Sequence, residues 1–239
     1  MSPIEKTYPY MKGYILLEGG AEFGGMMAAP DRRALELAGG SEAQVAIIPA
    51  AAAPDHNDRR AGETGARWFR QLGASRVAVV PLTDLNSANQ PEVAAALRES
   101  AVIYMLGGFP RHLGDSLAGS LSWQAMVAAY QSGAILGGSS AGAMVLGEHY
   151  FDPYTNTIVA GLNLVPGTCM VPHHNQLGKS RVTRLADQLP EIWLVGIDEQ
   201  TGLLDDGPDH AWNVYGQGSV TLYRGGQVRA YRPLETFAL

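Results

Sequence analysis

The sequence predicts an α/β protein built on a doubly wound, mostly parallel β-sheet with an antiparallel hairpin in its C-terminal part. Short, almost continuously apolar runs recur along the chain, as expected for parallel strands covered on both faces. Segments with the helical spacing of apolar residues separate these runs, which indicates strand–helix units joined by right-handed crossovers. Of the 239 residues, 46% are hydrophobic and 29 are glycine, a composition that favours close packing of helices on a sheet.

The predicted elements of the sheet follow one another in regular order. The apolar runs that predict its core strands are residues 13–20, 43–51, 76–82, 101–108 and 134–140. The segments between them that predict helices are residues 31–40, 59–73, 91–100 and 113–133. Three of these helical segments end in glycine, which commonly follows the last turn of a helix.

The C-terminal part of the sequence has a different pattern. After about residue 205, apolar and polar residues alternate, and the stretch Arg-Gly-Gly-Gln at 224–227 falls at a turn position. We therefore expect antiparallel strands there, with a hairpin at the edge of the sheet. Because no linker, low-complexity segment or internal repeat interrupts the sequence, we expect residues 1–239 to form a single domain.

Charge and cysteine content narrow the possible classes of function. The formal net charge is −6 and no run of Lys or Arg is present, which argues against nucleic-acid and anionic-membrane partners. The single cysteine, Cys169, permits no intrachain disulfide, is compatible with a reducing cytosol, and is expected to be buried and inert. The N-terminal residues have no apolar segment of the signal-peptide type, and no run approaches about 20 apolar residues. We expect a soluble, cytoplasmic protein.

The segment GGSSAGA at 137–143 contains the pattern G-x-S-x-G, centred on Ser140, directly after a predicted strand. In a nucleophile elbow of this pattern, the serine lies on a strained turn between a strand and a helix, with its hydroxyl exposed. The residue after the serine, here Ala141, donates its backbone N–H to an oxyanion. The alternative is a turn rich in Ser and Gly that only begins a helix. The strand–turn–helix context favours Ser140 as a nucleophile.

A serine nucleophile needs a base. Two adjacent histidines, His173 and His174, follow a short apolar run and are the candidates. Because neighbouring side chains of an extended segment point to opposite sides, we expect at most one of them to reach Ser140. A metal site on the histidine pair is the competing interpretation, but no third ligand is close by in the sequence, and we predict no metal.

Acidic residues near strand ends are the candidates for the group that orients the base. Asp198 and Glu199 end an apolar strand, and we favour Glu199 as the acid with Asp198 as support. Asp152 is the alternative acid. Glu18 and Glu22, at the end of the first strand, are expected to be solvated loop residues rather than part of a pocket.

Together, these motifs resemble those of peptidase family S51, which contains cyanophycinases and the aspartyl dipeptidases called peptidase E. The motifs that match are GGSSAGA, LGGFPRHL, GLNLVPGTCMVPHH, the spaced arginines of SRVTRL, and VGIDEQTGLL. The resemblance covers most of residues 13–205 and implies a class I glutamine-amidotransferase-like α/β fold. It also implies a serine hydrolase that acts next to aspartate, in Asp-X dipeptides or in the β-aspartyl-arginine units of cyanophycin.

The resemblance implies catalytic roles for individual residues. Matched motif by motif, Ser140 corresponds to the nucleophile, His173 to the base and Glu199 to the acid. The backbone N–H groups of Gly108 and Ala141 correspond to the oxyanion hole.

The resemblance also implies a substrate-binding role for three residues. Arg181 and Arg184 would bind a substrate carboxylate, for which a guanidinium is suited because it pairs bidentately; the alternative for both is an exposed helix face. Phe109 lies in the loop that faces the substrate. In two places the chain departs from the family's usual sequence: at Phe109-Pro110, and at His174, where the family usually has Phe.

The predicted function is a serine peptidase that acts on small acidic peptides and needs no metal or organic cofactor. Two alternatives stay open. One is a non-catalytic module that binds a small ligand at the same turn, and the other is an esterase or amidase on the same site. The sequence also leaves open a homodimer through an edge strand or an apolar helix face.

Overall fold

Two β-sheets organise the protein in the computed structural model, which describes residues 13–239 apart from the side chain of Lys179. One sheet has eight strands and the other has six. The predicted α/β class is confirmed. The division of the strands between two sheets differs from the single sheet that the sequence predicts.

The strands and helices of the described residues 13–239 have the following bounds. The strands are β1 (Tyr14–Glu18), β2 (Gln44–Ile48), β3 (Arg76–Val79), β4 (Val102–Met105), β5 (Ile135–Ser139), β6 (Gly147–Asp152), β7 (Thr157–Ala160), β8 (Val165–Val171), β9 (Trp193–Ile197), β10 (Thr201–Leu204), β11 (Trp212–Gly216), β12 (Val220–Arg224), β13 (Gln227–Tyr231) and β14 (Thr236–Phe237). The α-helices are α1 (Ala28–Leu37), α2 (Asp58–Gln71), α3 (Leu85–Ala88), α4 (Pro91–Arg98), α5 (Pro110–Leu117), α6 (Leu121–Gln131), α7 (Ala141–Met144) and α8 (Lys179–Gln188).

The eight-stranded sheet contains the predicted parallel core. All of the predicted core strands are present, and they lie in the spatial order β3-β2-β4-β5-β1, parallel to one another. Strands β10, β11 and β14 continue the sheet beyond β1 in antiparallel fashion. The carboxyl ends of β1, β4 and β5 therefore lie side by side, which is where ligands bind in open sheets of this kind.

The six-stranded sheet is the part of the fold that the sequence does not predict. Its order is β13-β12-β9-β8-β6-β7, with β6, β8 and β9 parallel. The predicted C-terminal hairpin is present as β12–β13, with Gly225 and Gly226 in its turn at positive φ. This hairpin lies at the edge of the second sheet rather than of the parallel core. The sequence does not predict the second sheet because β8 and β9 are apolar runs like the core strands. Periodicity alone does not show to which sheet such a run belongs.

One predicted helix is divided in two. The segment 113–133 was expected to be helical, but helix α5 ends at Leu117 and α6 begins at Leu121. Ser120 caps the second helix, since its hydroxyl accepts a hydrogen bond from the backbone N–H of Trp123. The remaining predicted helices correspond to α1, α2 and α4.

A shared hydrophobic core joins the two sheets. It contains Ile15 and Leu17 of β1 together with Val195 and Ile197 of β9, and all four side chains are buried. Burial of each such side chain contributes roughly 1.5–3 kcal/mol, so this core is a main reason why the sheets stay packed together. No helix among residues 13–239 is long and apolar enough to cross a membrane.

Candidate active site

Ser140 occupies a strained turn between β5 and α7. Its backbone has φ 50° and ψ −110°, which is unfavourable for a residue with a side chain and is expected of a nucleophile elbow. Its N–H donates to the carbonyl of Glu18 at 3.0 Å. The flanking glycines are required because a Cβ at Gly138 or Gly142 would lie 2.2 or 2.3 Å from the Met105 carbonyl oxygen. The small residues of the motif thus allow the turn to pack directly against β4.

Ser140, His173 and Glu199 form a continuous chain of hydrogen bonds. Ser140 Oγ lies 3.1 Å from His173 Nε2, and His173 Nδ1 lies 2.8 Å from Glu199 Oε1. When the carboxylate accepts the Nδ1 proton, Nε2 carries the lone pair and can take a proton from the serine hydroxyl. The His173 and Glu199 side chains are 32% and 30% exposed, so a substrate has access to the arrangement.

Backbone contacts between the two sheets hold His173 in place. His173 lies two residues beyond the end of β8, and its N–H donates to the carbonyl of Gly19, just beyond β1, at 2.7 Å. Its ring packs flat against Gly20, where a Cβ would lie 2.2 Å from the ring atom Cε1. Asn175 accepts the backbone N–H of Glu199 at 3.0 Å and so fixes the acid beside the base. Asn175 was missed at the sequence level, although its position directly after the histidine pair was a usable signal.

The two predicted oxyanion donors belong to segments that meet at this turn. Ala141 is the first residue of α7, where an N–H has no partner within the helix. The loop that carries Gly108 passes directly against the turn, since a Cβ at Gly107 would lie 3.3 Å from the Cβ of Ser140. The N–H of Phe109 donates to the carbonyl of Ala51 at 2.8 Å, which fixes the loop after Gly108.

His174 and Asp198, considered as alternatives for the base and the acid, form a separate pair in the protein interior. His174 is buried, its Nδ1 lies 3.0 Å from Asp198 Oδ1, and its Nε2 lies 2.8 Å from the Tyr223 hydroxyl. Asp198 Oδ2 accepts hydrogen bonds from the N–H and hydroxyl of Ser219. Both histidine nitrogens are thus engaged away from Ser140. The adjacent histidines pair with adjacent acids, one pair at the Ser140 turn and the other in the core.

Asp152, the other alternative acid, is engaged in the turn between β6 and β7. Its carboxylate accepts hydrogen bonds from the Tyr154 N–H at 3.1 Å and the Thr155 hydroxyl at 2.6 Å. This carboxylate is 1% exposed. It therefore stabilises a turn and takes no part in the Ser140–His173–Glu199 chain.

The expectation that Glu18 is a solvated loop residue is wrong, whereas Glu22 does lie in a loop and is partly exposed. Glu18 is fully buried and accepts a hydrogen bond from the Tyr104 hydroxyl. Glu22 is half-buried, and its Oε2 accepts a hydrogen bond from Ser139 Oγ at 2.9 Å. The position of Glu18 at the end of an apolar run was the signal that it belongs to the strand.

Arg181 and Arg184 lie on α8 and line a cavity of about 330 Å³. The guanidinium of Arg184 donates to the side-chain and backbone oxygens of Asn156 and lies 5.5 Å from the ring centroid of Phe151. None of the three residues of the Ser140–His173–Glu199 chain lines this cavity. A direct contact between these arginines and the reacting atoms is thus not part of the observed arrangement.

Phe109 lines a second cavity, of about 450 Å³, one residue beyond Gly108. Its ring stacks on that of Tyr154, with centroids 4.2 Å apart and an interplanar angle of 16°. Leu85 and Arg111 line the same cavity. The stacked rings form an aromatic wall beside the predicted oxyanion donor.

One other predicted feature of the chemistry, the state of the cysteine, can be located. Cys169 is buried, and burial raises the pKa of its thiol to about 12, as expected of an inert cysteine. Within residues 13–239, no group of three or more His, Cys, Asp and Glu side chains is arranged to hold a metal ion.

Comparison with known proteins places this geometry in a family. The model of peptidase family S51 matches residues 15–210. A cyanophycinase from Synechococcus elongatus is 30% identical over 93% of this chain and 72% of its own length. A cyanophycinase from Geminocystis herdmanii is 27% identical over 94% of this chain and 88% of its own length.

Solved structures agree with this placement. The crystal structure of a peptidase from an acI-B1 actinobacterium has a TM-score of 0.86 and 27% sequence identity, covering 96% of this chain and 98% of that one. A putative peptidase E from Listeria monocytogenes has a TM-score of 0.59 at 18% identity over 92% of this chain and 98% of its own, which shows the shared fold alone. The chain therefore belongs to peptidase family S51 and is a serine hydrolase.

Proposed function

We propose that this protein is a serine peptidase that hydrolyses peptide bonds next to aspartate in small peptides, through an acyl-enzyme on Ser140. The observation that carries the proposal is the hydrogen-bond chain from Ser140 Oγ through His173 to Glu199, at 3.1 and 2.8 Å, on a strained strand-to-helix turn. A serine in a structural turn has no need of an imidazole that is itself oriented by a carboxylate.

In the proposed reaction, His173 Nε2 takes the hydroxyl proton as Ser140 Oγ attacks the peptide carbonyl. The N–H groups of Gly108 and Ala141 bind the oxyanion that forms, a contribution worth about 10²–10³ in kcat for each donor. The imidazolium then gives its proton to the leaving amine, and the acyl-enzyme remains. Water attacks this ester with His173 again as base, and Ser140 regains its proton. Glu199 stabilises the imidazolium throughout and stays ionised.

Family membership supports the substrate class. Membership of family S51 and the relatives named cyanophycinase favour an aspartyl bond, either in an Asp-X dipeptide or in a β-linked aspartyl-arginine unit. The aromatic wall of Phe109 and Tyr154 would contact the substrate beside the oxyanion donors. Arg181 and Arg184 would act through a carboxylate farther along the substrate, since they line a separate cavity.

Release of free amine from a substrate panel tests the proposal. The panel contains Asp-X dipeptides, β-Asp-Arg, soluble cyanophycin and X-Asp controls, and it is run with wild type and Ser140→Ala. We expect turnover of at least one aspartyl substrate by wild type and none by the variant. A serine-directed phosphonate should label Ser140 in wild type and in the matched variant Ser139→Ala, but not in Ser140→Ala.

The result also separates the alternatives. Turnover of simple esters or amides with no aspartyl substrate cleaved would indicate an esterase or amidase on the same site. Full activity of Ser140→Ala would refute the mechanism. If no substrate is cleaved and no phosphonate is attached, a non-catalytic binding module would replace the peptidase as the better explanation.

A further inference from the structure

Two fully buried acids lie beneath the Ser140 turn. Glu18 is the last residue of β1, and Asp31 lies in the first turn of α1. Both side chains are 0% exposed, which is rare for carboxyl groups unless they are paired. The reaction proposed above uses neither of them, so their burial needs another explanation.

Each of these carboxyl groups has one oxygen with a donor and one without. The Tyr104 hydroxyl donates to Glu18 Oε2, and Trp68 Nε1 donates to Asp31 Oδ2 at 2.7 Å. Within the described residues, Glu18 Oε1 and Asp31 Oδ1 have no hydrogen-bond partner, and the two carboxyl groups lie close enough for each to shift the pKa of the other. Two ionised carboxylates cannot donate to each other. A proton on one of them provides the missing hydrogen bond for both.

The charges around the pair favour retention of that proton. Among residues 13–239, the titratable groups that face it are Tyr104 and Glu22, and neither supplies positive charge. Burial, followed by the neighbouring carboxylates, raises the pKa of Glu18 well above its usual range. Burial also raises the pKa of Asp31 to about 7, against the opposing effect of the hydrogen bond from Trp68.

The backbone connects this pair to the nucleophile turn. The N–H of Ser140 donates to the carbonyl of Glu18, and Glu18 is the register partner of Ser139 in the β1–β5 ladder. The hydroxyl of Ser139 in turn donates a hydrogen bond to the carboxylate of Glu22. The strained backbone conformation of Ser140 persists only where its surroundings hold it. A displacement of Glu18 would therefore change the conformation of Ser140.

We propose that Glu18 and Asp31 share a proton at neutral pH and act as a positioning pair for the Ser140 turn. Loss of the shared proton would leave two facing carboxylates in a buried site that no cation among residues 13–239 neutralises. Their repulsion would displace the end of β1, to which the Ser140 amide is bonded. The positioning role rests on the proposed function of Ser140, whereas the sharing of the proton does not.

The variant Glu18→Gln tests the shared proton. The Gln amide donates to Asp31 at every pH, and its oxygen still accepts from Tyr104. Difference infrared spectroscopy should detect a protonated carboxyl group in wild type at neutral pH and not in Glu18→Gln. The exposed residue Glu99 supplies the control, since Glu99→Gln should keep the signal. If Glu18→Gln does not fold, Asp31→Asn is the second variant, with the same expected loss.

The pH dependence of unfolding gives a second readout. The folded protein keeps a proton that the unfolded chain loses near pH 4–5, so stability falls as pH rises above that range. For each retained proton, the unfolding equilibrium constant should rise by up to about tenfold per pH unit. The rise should be less steep in Glu18→Gln than in wild type and in Glu99→Gln.

Labelling of Ser140 by the phosphonate tests the positioning role. At alkaline pH, labelling should decline in wild type and persist in Glu18→Gln, while Glu99→Gln should follow wild type. A wild-type protein without the infrared signal, or equal pH profiles for wild type and Glu18→Gln, would overturn the proposal. If wild type is not labelled at any pH, the proposed function and the positioning role both fail, and the infrared and unfolding measurements still decide whether the proton is shared.

Discussion

Gly20 packs against the ring of His173, the proposed base, and Gly20→Ala tests whether this contact positions the ring. The added Cβ would lie 2.2 Å from His173 Cε1 and 2.7 Å from Nδ1. Because an ordinary carbon–carbon contact is about 3.5–4.0 Å, the ring would have to withdraw by more than about 1 Å. That movement would disturb the contact between Nε2 and Ser140 Oγ, which are now 3.1 Å apart.

The expected effect on activity is large. A misplacement of about 1 Å in a catalytic arrangement costs about 100-fold in rate, so we expect kcat/KM to fall by at least that factor. Gly20 also has φ +108°, a conformation that alanine adopts with strain, which should lower the free energy of unfolding by about 1–3 kcal/mol. The assay is hydrolysis of the best substrate from the panel, together with the rate of phosphonate labelling.

Two matched variants separate the ring contact from the backbone strain. Gly39 has φ +106° and no atom within 4 Å of an added Cβ, so Gly39→Ala should lose stability without losing activity. Gly24 lies in the same loop as Gly20, is extended at φ −171°, and also has open space, so Gly24→Ala should change neither. If Gly20→Ala were as active as Gly39→Ala, the contact between Gly20 and His173 would not position the base and the reasoning would be refuted.

Three further predictions concern the two histidine–acid pairs and the cysteine. Glu199→Gln should lower kcat by roughly 10³–10⁴-fold at unchanged fold, because the amide no longer favours the correct tautomer of His173; steady-state kinetics beside circular dichroism would check this. His174→Phe should lower the free energy of unfolding by about 1–3 kcal/mol, because Asp198 loses a buried partner; urea denaturation measures the loss, and an unchanged midpoint would contradict it. Cys169 should react with a thiol reagent only after denaturation, since its raised pKa and burial leave no exposed thiolate; rapid reaction of the native protein would show otherwise.

The nucleophile turn could be predicted from the sequence because its signals are local. The strand before Ser140, the small residues around it and the short helix after it lie within one segment, and each has a direct physical reason. Glu199 was favoured for its position at the end of an apolar run, whereas His173 was chosen through the motif resemblance. Periodicity alone would not have chosen between His173 and His174, because the choice depends on which side of the chain faces β1.

The buried acid pair and the second sheet could not be predicted in the same way. The partners of Glu18 are distant in the sequence: Tyr104 lies 86 residues away. Nothing near Glu18 in the sequence indicates that a hydroxyl and a second acid surround it. Similarly, β8 and β9 have the apolar character of the core strands, and their assignment to a separate sheet depends on tertiary packing.

The division of the reacting groups between the two sheets has a consequence for folding. Ser140 follows a strand of the eight-stranded sheet, whereas His173 follows a strand of the six-stranded sheet. A chain in which only one sheet has formed lacks the contact between Ser140 and His173 and so has no activated serine. Nascent and partly folded molecules would therefore not cleave neighbouring polypeptides. The appearance of phosphonate reactivity during refolding would then time the docking of one sheet on the other, a step that bulk spectroscopic probes do not isolate.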